Sequence, residues 1–269
     1  MIKHIFSILL LIFSVFSCQT VPVTGRSQLA LIPNSELLPM SFQNYDQVLQ
    51  ESKLSNNQAE VAMIKKVGQR IQLAVERYMA ENNASSQLSG FNWEFNLIED
   101  DNTVNAWCMP GGKVAFYTGI LPICEGESGV AIVMGHEVAH AIANHGGERM
   151  SQSLLAQLGL SSLQVALGEN PSLTNNLLLQ SVGIGTQVGM LSFSRQHESE
   201  ADRIGLIFSS MAGYDPREAP EFWERMKAAS GGSAPPEFLS THPSNDRRIR
   251  DLTAQMPEAI KIYEQYKNQ

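Results

Sequence analysis

Apolar residues recur along the chain with two periods, and the change from one to the other divides it into elements. Val61, Ile64, Val67, Ile71, Val75 and Tyr78 follow at three- and four-residue steps, with Lys65, Arg70 and Glu76 off the stripe. That pattern predicts an amphipathic helix laid against a core. Phe91, Trp93, Phe95 and Leu97 then alternate with Asn92, Glu94 and Asn96, as a half-buried strand does. Further strands are expected over 103–108 and 113–120, on either side of the Pro110-Gly111-Gly112 turn. From Val130 to Ala143 the chain is apolar almost all round, so the helix expected there is buried and ends at Gly146-Gly147. An earlier helix starts near Ser35. Two helices lie between Arg149 and Leu191, and another runs from Ser194 to Met211. A further one follows Asp215-Pro216-Arg217-Glu218, and short ones open at Pro243 and Pro257. The sum is a mainly helical α+β domain with a small sheet ahead of the buried helix.

The buried helix contains Gly135-His136-Glu137-Val138-Ala139-His140. Helical residues four apart share a face, so His136 and His140 can offer two imidazole nitrogens to one metal ion. Glu137, one residue step round, stands beside the position left for water and suits a general base. Unpaired polar groups are costly in so apolar a helix, and coordination supplies the partners they need. A catalytic zinc site takes three protein ligands and a water. A third histidine shortly after the pair is excluded, because Ala143 and Gly146 occupy those positions. Glu198 on a later helix can complete the set, for one Zn²⁺ per chain. Asp202, one turn beyond it on the same face, can accept a hydrogen bond from a ligand histidine and fix its tautomer.

His136-Glu137-x-x-His140 followed by Glu198-Ser199-Glu200-Ala201-Asp202 resembles the HtpX, CAAX-protease, BepA and LoiP family of zinc metalloendopeptidases, metallopeptidase family 48, and in particular its soluble lipoprotein members. Pro22-Val23-Thr24-Gly25-Arg26, Asn105-Ala106, Ser194-Arg195, His242-Pro243 and Arg248-Ile249 extend the likeness. The resemblance implies a zincin-like fold of the gluzincin type. It also implies that His242 is a loop histidine that approaches the metal, either as a fourth ligand at rest or beside the transition-state oxyanion. Arg248 matches a family position near the ligands. Implied substrates are unfolded or misassembled envelope proteins, with outer-membrane assembly machinery as a partner.

The expected chemistry is hydrolysis in which Glu137 takes a proton from zinc-bound water and returns it to the leaving amine. Lys113, Val114, Ala115, Phe116, Tyr117 and Thr118 are expected to form the sheet edge beside the metal helix and hold an extended substrate by strand addition. A zinc-stabilised chaperone with little proteolysis is the rival reading, and Glu137 beside the ligands favours an enzyme. His145 and His197 read as lesser neighbours of the site, and Glu200 as solvated.

Charge and cysteines refine the picture. A formal charge of -8 leaves no basic stripe for nucleic acid. Residues 1–18 read as a signal peptide, with Lys3, an apolar run from Ile5 to Phe16, and Ser17-Cys18 at its end. Val15-Phe16-Ser17-Cys18 resembles a lipobox. Lipidated Cys18, followed by Gln19, then implies a periplasmic protein anchored in the inner leaflet of the outer membrane, or failing lipidation a soluble periplasmic one. Residues 19–34 read as an extended arm and 35–269 as the peptidase domain. Cys108 and Cys124 are expected as buried free thiols.

Overall fold

The computed structural model describes residues 18–158, 171–181, 194–229, 237–242 and 246–268. The expected signal segment before Cys18 and the helix start at Pro243 lie outside them. The chain opens with a hairpin, β1 (Cys18–Thr20) and β2 (Ser27–Leu29), paired antiparallel with Cys18 opposite Leu29. The expected extended arm is therefore folded onto the body. Val21 is fully buried, and the Leu31 N–H donates to Ser151 Oγ at 3.0 Å.

Two helices follow, α1 (Asn34–Glu51) and α2 (Gln58–Glu81). The predicted stripe of α2 is its buried face, with Ile64, Val67, Ile71 and Val75 fully covered. The sheet comprises β3 (Glu94–Ile98), β4 (Ala106–Met109) and β5 (Lys113–Tyr117), in the order β3-β5-β4. β5 pairs parallel with β3 and antiparallel with β4. The strand expected at the edge is thus the middle one. β4 is the edge strand that borders the metal helix.

After a short helix α3 (Leu121–Cys124), the predicted metal helix is α4 (Glu127–Ile142), buried along nearly its whole length. It ends at Ala143, and Asn144 reverses the chain in the left-handed region at φ 53°. Gly146 and Gly147 lie instead within α5 (His145–Leu158). α6 (Pro171–Ser181) packs on α5. Next come α7 (Arg195–Met211), α8 (Glu218–Ala229), the single turn α9 (Glu237–Thr241) and α10 (Asp246–Tyr266). Pro257 lies inside α10 rather than opening a new helix, because the apolar stripe of Leu252, Met256, Ala259 and Ile262 continues across it onto the core.

The core sits where α4 runs against α7, and α2, the sheet, α8 and α10 pack against this pair. Gly135 and Gly205 mark the crossing. A Cβ on Gly135 would stand 2.8 Å from the Gly205 carbonyl oxygen, so only glycine lets the backbones come this close. Among the described residues no helix is long and apolar enough to cross a membrane. Cys108 and Cys124 are free and buried.

Candidate metal centre

The close crossing of α4 and α7 faces His136 and His140 toward Glu198. Ser194 caps α7, its hydroxyl accepting the His197 N–H at 3.1 Å, which places Glu198 in the first turn and Asp202 one turn on. His242 follows α9. Its N–H donates to the Phe238 carbonyl at 2.8 Å and its ring stacks on Phe238, while the Phe238 N–H is tied to the Val104 carbonyl at 3.0 Å. That turn inserts His242 into the cluster.

His136 Nε2 lies 3.1 Å from His140 Nε2 and 3.2 Å from His242 Nδ1. Glu198 Oε1 is 3.0 Å from His242 Nδ1 and 3.4 Å from His140 Nε2. All four residues are buried, and one ligand atom from each lies within 4.8 Å of every other. A tetrahedron with arms of about 2.0–2.1 Å has edges of about 3.3 Å, so this donor set has the size and chemistry of a zinc site. Three buried imidazoles and a carboxylate converging at these distances suit a shared cation.

The outer faces of these ligands are also occupied. His136 Nδ1 lies 3.0 Å from Asp202 Oδ1, which fixes the tautomer that leaves Nε2 as donor to the metal. Arg248 reaches in from α10, with Nη1 2.7 Å from Glu198 Oε2 and both Nε and Nη2 2.6 Å from the Asp202 carboxylate. Its guanidinium lies over the Trp223 ring at 3.4 Å. Burial would raise the Asp202 carboxyl, but the charge of Arg248 and the hydrogen bond from His136 hold it below its ordinary range. Burial and Arg248 would lower His136, yet hydrogen bonds to Asp202 and Glu198 prevail and raise it to about 9. Without metal, a proton on His136 takes the cation's place, and a metal must displace it.

Glu137 is buried, with Oε1 3.5 Å from His242 Nε2 and, among the described residues, without a hydrogen-bond partner. Burial raises its pKa, as a proton-accepting base at neutral pH requires. It shares a small cavity with Cys108 of β4, His140 and Asn144.

Lys113, Val114, Ala115 and Phe116 are buried in the central strand, with Tyr117 half-buried and Thr118 in the helical turn beyond, so this stretch has no free edge. Among the described residues, β4 has no strand paired on its outer side. Because the Tyr117 N–H donates to the Asn105 carbonyl, alternation directs the backbone of Trp107 and Met109 toward β5 and that of Ala106 and Cys108 outward. The Asn105 side chain accepts the Ala106 N–H at 2.9 Å and donates to Glu237 at 3.3 Å.

Sequence reasoning missed a second cluster. His145 is fully buried, its Nδ1 2.9 Å from His140 Nδ1 and its Nε2 3.0 Å from Glu200 Oε2. Its position five residues after His140 is off the ligand face of a continuous helix, but the reversal at Asn144 folds it back. Glu200, expected in solvent, is buried and bonded by His145, Thr24 and Arg26. Burial would raise Glu200, but those three bonds hold it down to about 2.

Peptidase family M48 matches residues 65–256. The chain belongs to this family. It is 41% identical over 189 residues to the mitochondrial metalloendopeptidase OMA1 of Schizosaccharomyces pombe, covering 70% of this chain and 53% of that one. Human mitochondrial OMA1 is 30% identical over 268 residues, covering 96% and 50%. The β-barrel assembly-enhancing protease of Escherichia coli is 30% identical over 241 residues, covering 87% and 47%. The chain spans about half the length of the curated relatives it matches. The family assignment stands, but the expected periplasmic location with lipidated Cys18 at the outer membrane is corrected. The relatives that match at higher identity or across more of the chain are named as mitochondrial.

Proposed function

We propose that this M48 chain is a zinc metalloendopeptidase that cleaves extended segments of unfolded or misassembled proteins. The observation that carries the reading is Glu137, a buried carboxylate with an oxygen unpartnered among the described residues, beside the four-donor cluster. His136, His140 and Glu198 would hold the ion, which when bound polarises the scissile carbonyl and brings the pKa of its water toward about 7. Glu137 accepts a proton from the attacking water and delivers it to the leaving amine, so no covalent intermediate forms. The Ala106 carbonyl and the outward N–H and carbonyl of Cys108 pair with the substrate main chain. Recognition through main-chain bonds selects for extended conformation rather than sequence, which suits unfolded clients. The name of the Escherichia coli relative, which refers to β-barrel assembly, supports a role in quality control.

The test pairs zinc content with casein cleavage by the wild-type protein and by Glu137→Gln. The expected result is one zinc per chain in both and a rate lower by about 10²–10⁴-fold in the variant. Equal cleavage by the two would eliminate Glu137 as the base, and a zinc-free wild type would eliminate the metallopeptidase reading.

A further inference from the structure

Each histidine of the metal pair has a second nitrogen that faces away from the cluster, and each is met by a different chain of groups. On the His136 side the chain is short: imidazole, Asp202, Arg248. On the His140 side it is longer. His140 Nδ1 meets His145 Nδ1 at 2.9 Å, His145 Nε2 meets Glu200 Oε2 at 3.0 Å, and Arg26 Nε lies 2.6 Å from the same oxygen. The proton positions follow once His140 Nε2 faces a metal. His140 Nδ1 must then carry a hydrogen, so His145 Nδ1 must accept it, and His145 must donate through Nε2 to the Glu200 carboxylate. Only one tautomer of His145 satisfies both neighbours.

Arg26 anchors the outer end. Its Nη2 lies 2.8 Å from Glu148 Oε2 and 3.3 Å from Gln28 Oε1, and its Nη1 is 3.1 Å from Glu148 Oε1. Glu148 in turn bonds His197 at 3.0 Å, and the His197 ring stacks on that of His145 with centroids 4.4 Å apart. Two carboxylates and two imidazoles so placed resemble a ligand set for a second metal, but the guanidinium already supplies the cation and spends its planar fork on both carboxylates. Arg26 sits at the end of a tight turn, where its carbonyl accepts the Val21 N–H at 2.8 Å. The docking of the β1–β2 hairpin is thereby connected to the ring of a metal ligand.

We propose that Arg26 is a positioning residue of the metal centre, acting on the ligand His140 through Glu200 and His145. The inference rests on the reading that His136, His140 and Glu198 hold zinc. The experiment is a double-mutant cycle on the full chain, reading zinc affinity by chelator competition for wild type, Arg26→Ala, His145→Ala and the double variant. His145→Ala removes a direct partner of a ligand and is expected to weaken zinc about 10–100-fold. Arg26→Ala is expected to weaken it about tenfold in the wild-type background and not further once His145 is gone. Equal, additive losses in both backgrounds would overturn the proposal, because the effect would then be general loosening. Arg26→Lys keeps the charge without the fork, and the visible spectrum of its cobalt-substituted form is expected to shift with the geometry around His140. Wild-type affinity together with an unshifted cobalt spectrum in Arg26→Lys would also overturn it. If wild-type protein binds no zinc, the metallopeptidase reading itself falls and takes this inference with it.

Discussion

The Glu198 carboxylate and the Arg248 guanidinium meet at 2.7 Å, one on α7 and the other on α10, deep beneath the surface. Because the same guanidinium also grips Asp202, one cation orients both a member of the donor cluster and the partner of a second member. Arg248→Met would leave two buried carboxylates without their partner. Zinc affinity is expected to fall about 10–100-fold, and the metal-free protein to lose about 3 kcal/mol against denaturant. Chelator competition and urea unfolding measure the two effects. Undiminished affinity would mean that α7 alone orients Glu198.

The backbone contact between α4 and α7 makes a second prediction. Gly135→Ala sets a methyl group 2.8 Å from the Gly205 carbonyl oxygen, a backbone atom that cannot rotate aside. The helices must separate, and with them the histidine pair and Glu198. A loss of about 1–3 kcal/mol is expected, accompanied by weaker zinc binding, although residue 135 coordinates nothing. Thermal unfolding with and without zinc measures both. A variant that is less stable yet binds zinc normally would dissociate the crossing from the site.

The donor geometry had a clear imprint in the sequence, and the supports of that geometry did not. His136 and His140, and separately Glu198 and Asp202, fall on common faces because a helix repeats every 3.6 residues, whereas the meeting of those two faces follows from the family resemblance and not from spacing. Strand order has no such local signature: nothing between 91 and 120 states that β5 inserts between β3 and β4, so the sequence reads β5 as the edge. His145 reads as a lesser neighbour because the left-handed turn at Asn144 interrupts the period by which faces are counted. Glu200 points away from the Glu198 face and so reads as solvent-facing, unless the hairpin that brings Arg26 over it is known. Pro257 reads as a helix start, but packing of the residues on both sides overrides that local preference.

His242 supplies a third prediction. Its Nδ1 completes a four-donor set with His136, His140 and Glu198, and four protein ligands leave no position for water. If His242 is the fourth ligand at rest, hydrolysis requires it to withdraw. His242→Ala is expected to weaken zinc binding while raising cleavage of small peptides several-fold in the isolated protein. Titration with zinc and a fluorogenic peptide assay separate the two effects. A drop in cleavage with zinc fully bound would return the residue to the oxyanion role.

Acid should unfold the metal-free protein through the Arg26 cluster. Burial depresses His145 to about 4, so it is neutral in the folded state when an unfolded histidine would be charged. Its contribution is present above about 6.5 and is lost as the pH falls through 4. Glu148 is held down to about 2, since bonds from His197 and Arg26 outweigh a burial effect that alone would raise it, and Glu200 lies at about 2 as well. Over the window from about 4.5 to 2 the unfolded chain binds more protons than the folded one, so their stabilisation drains away as the pH drops. The thermal midpoint in chelator is therefore expected to fall from pH 6.5 down to pH 2. In Arg26→Ala both carboxyls return toward their ordinary range, and the fall below pH 4.5 should be shallower. Parallel acid limbs for the two proteins would show that Arg26 does not stabilise the ionised carboxylates.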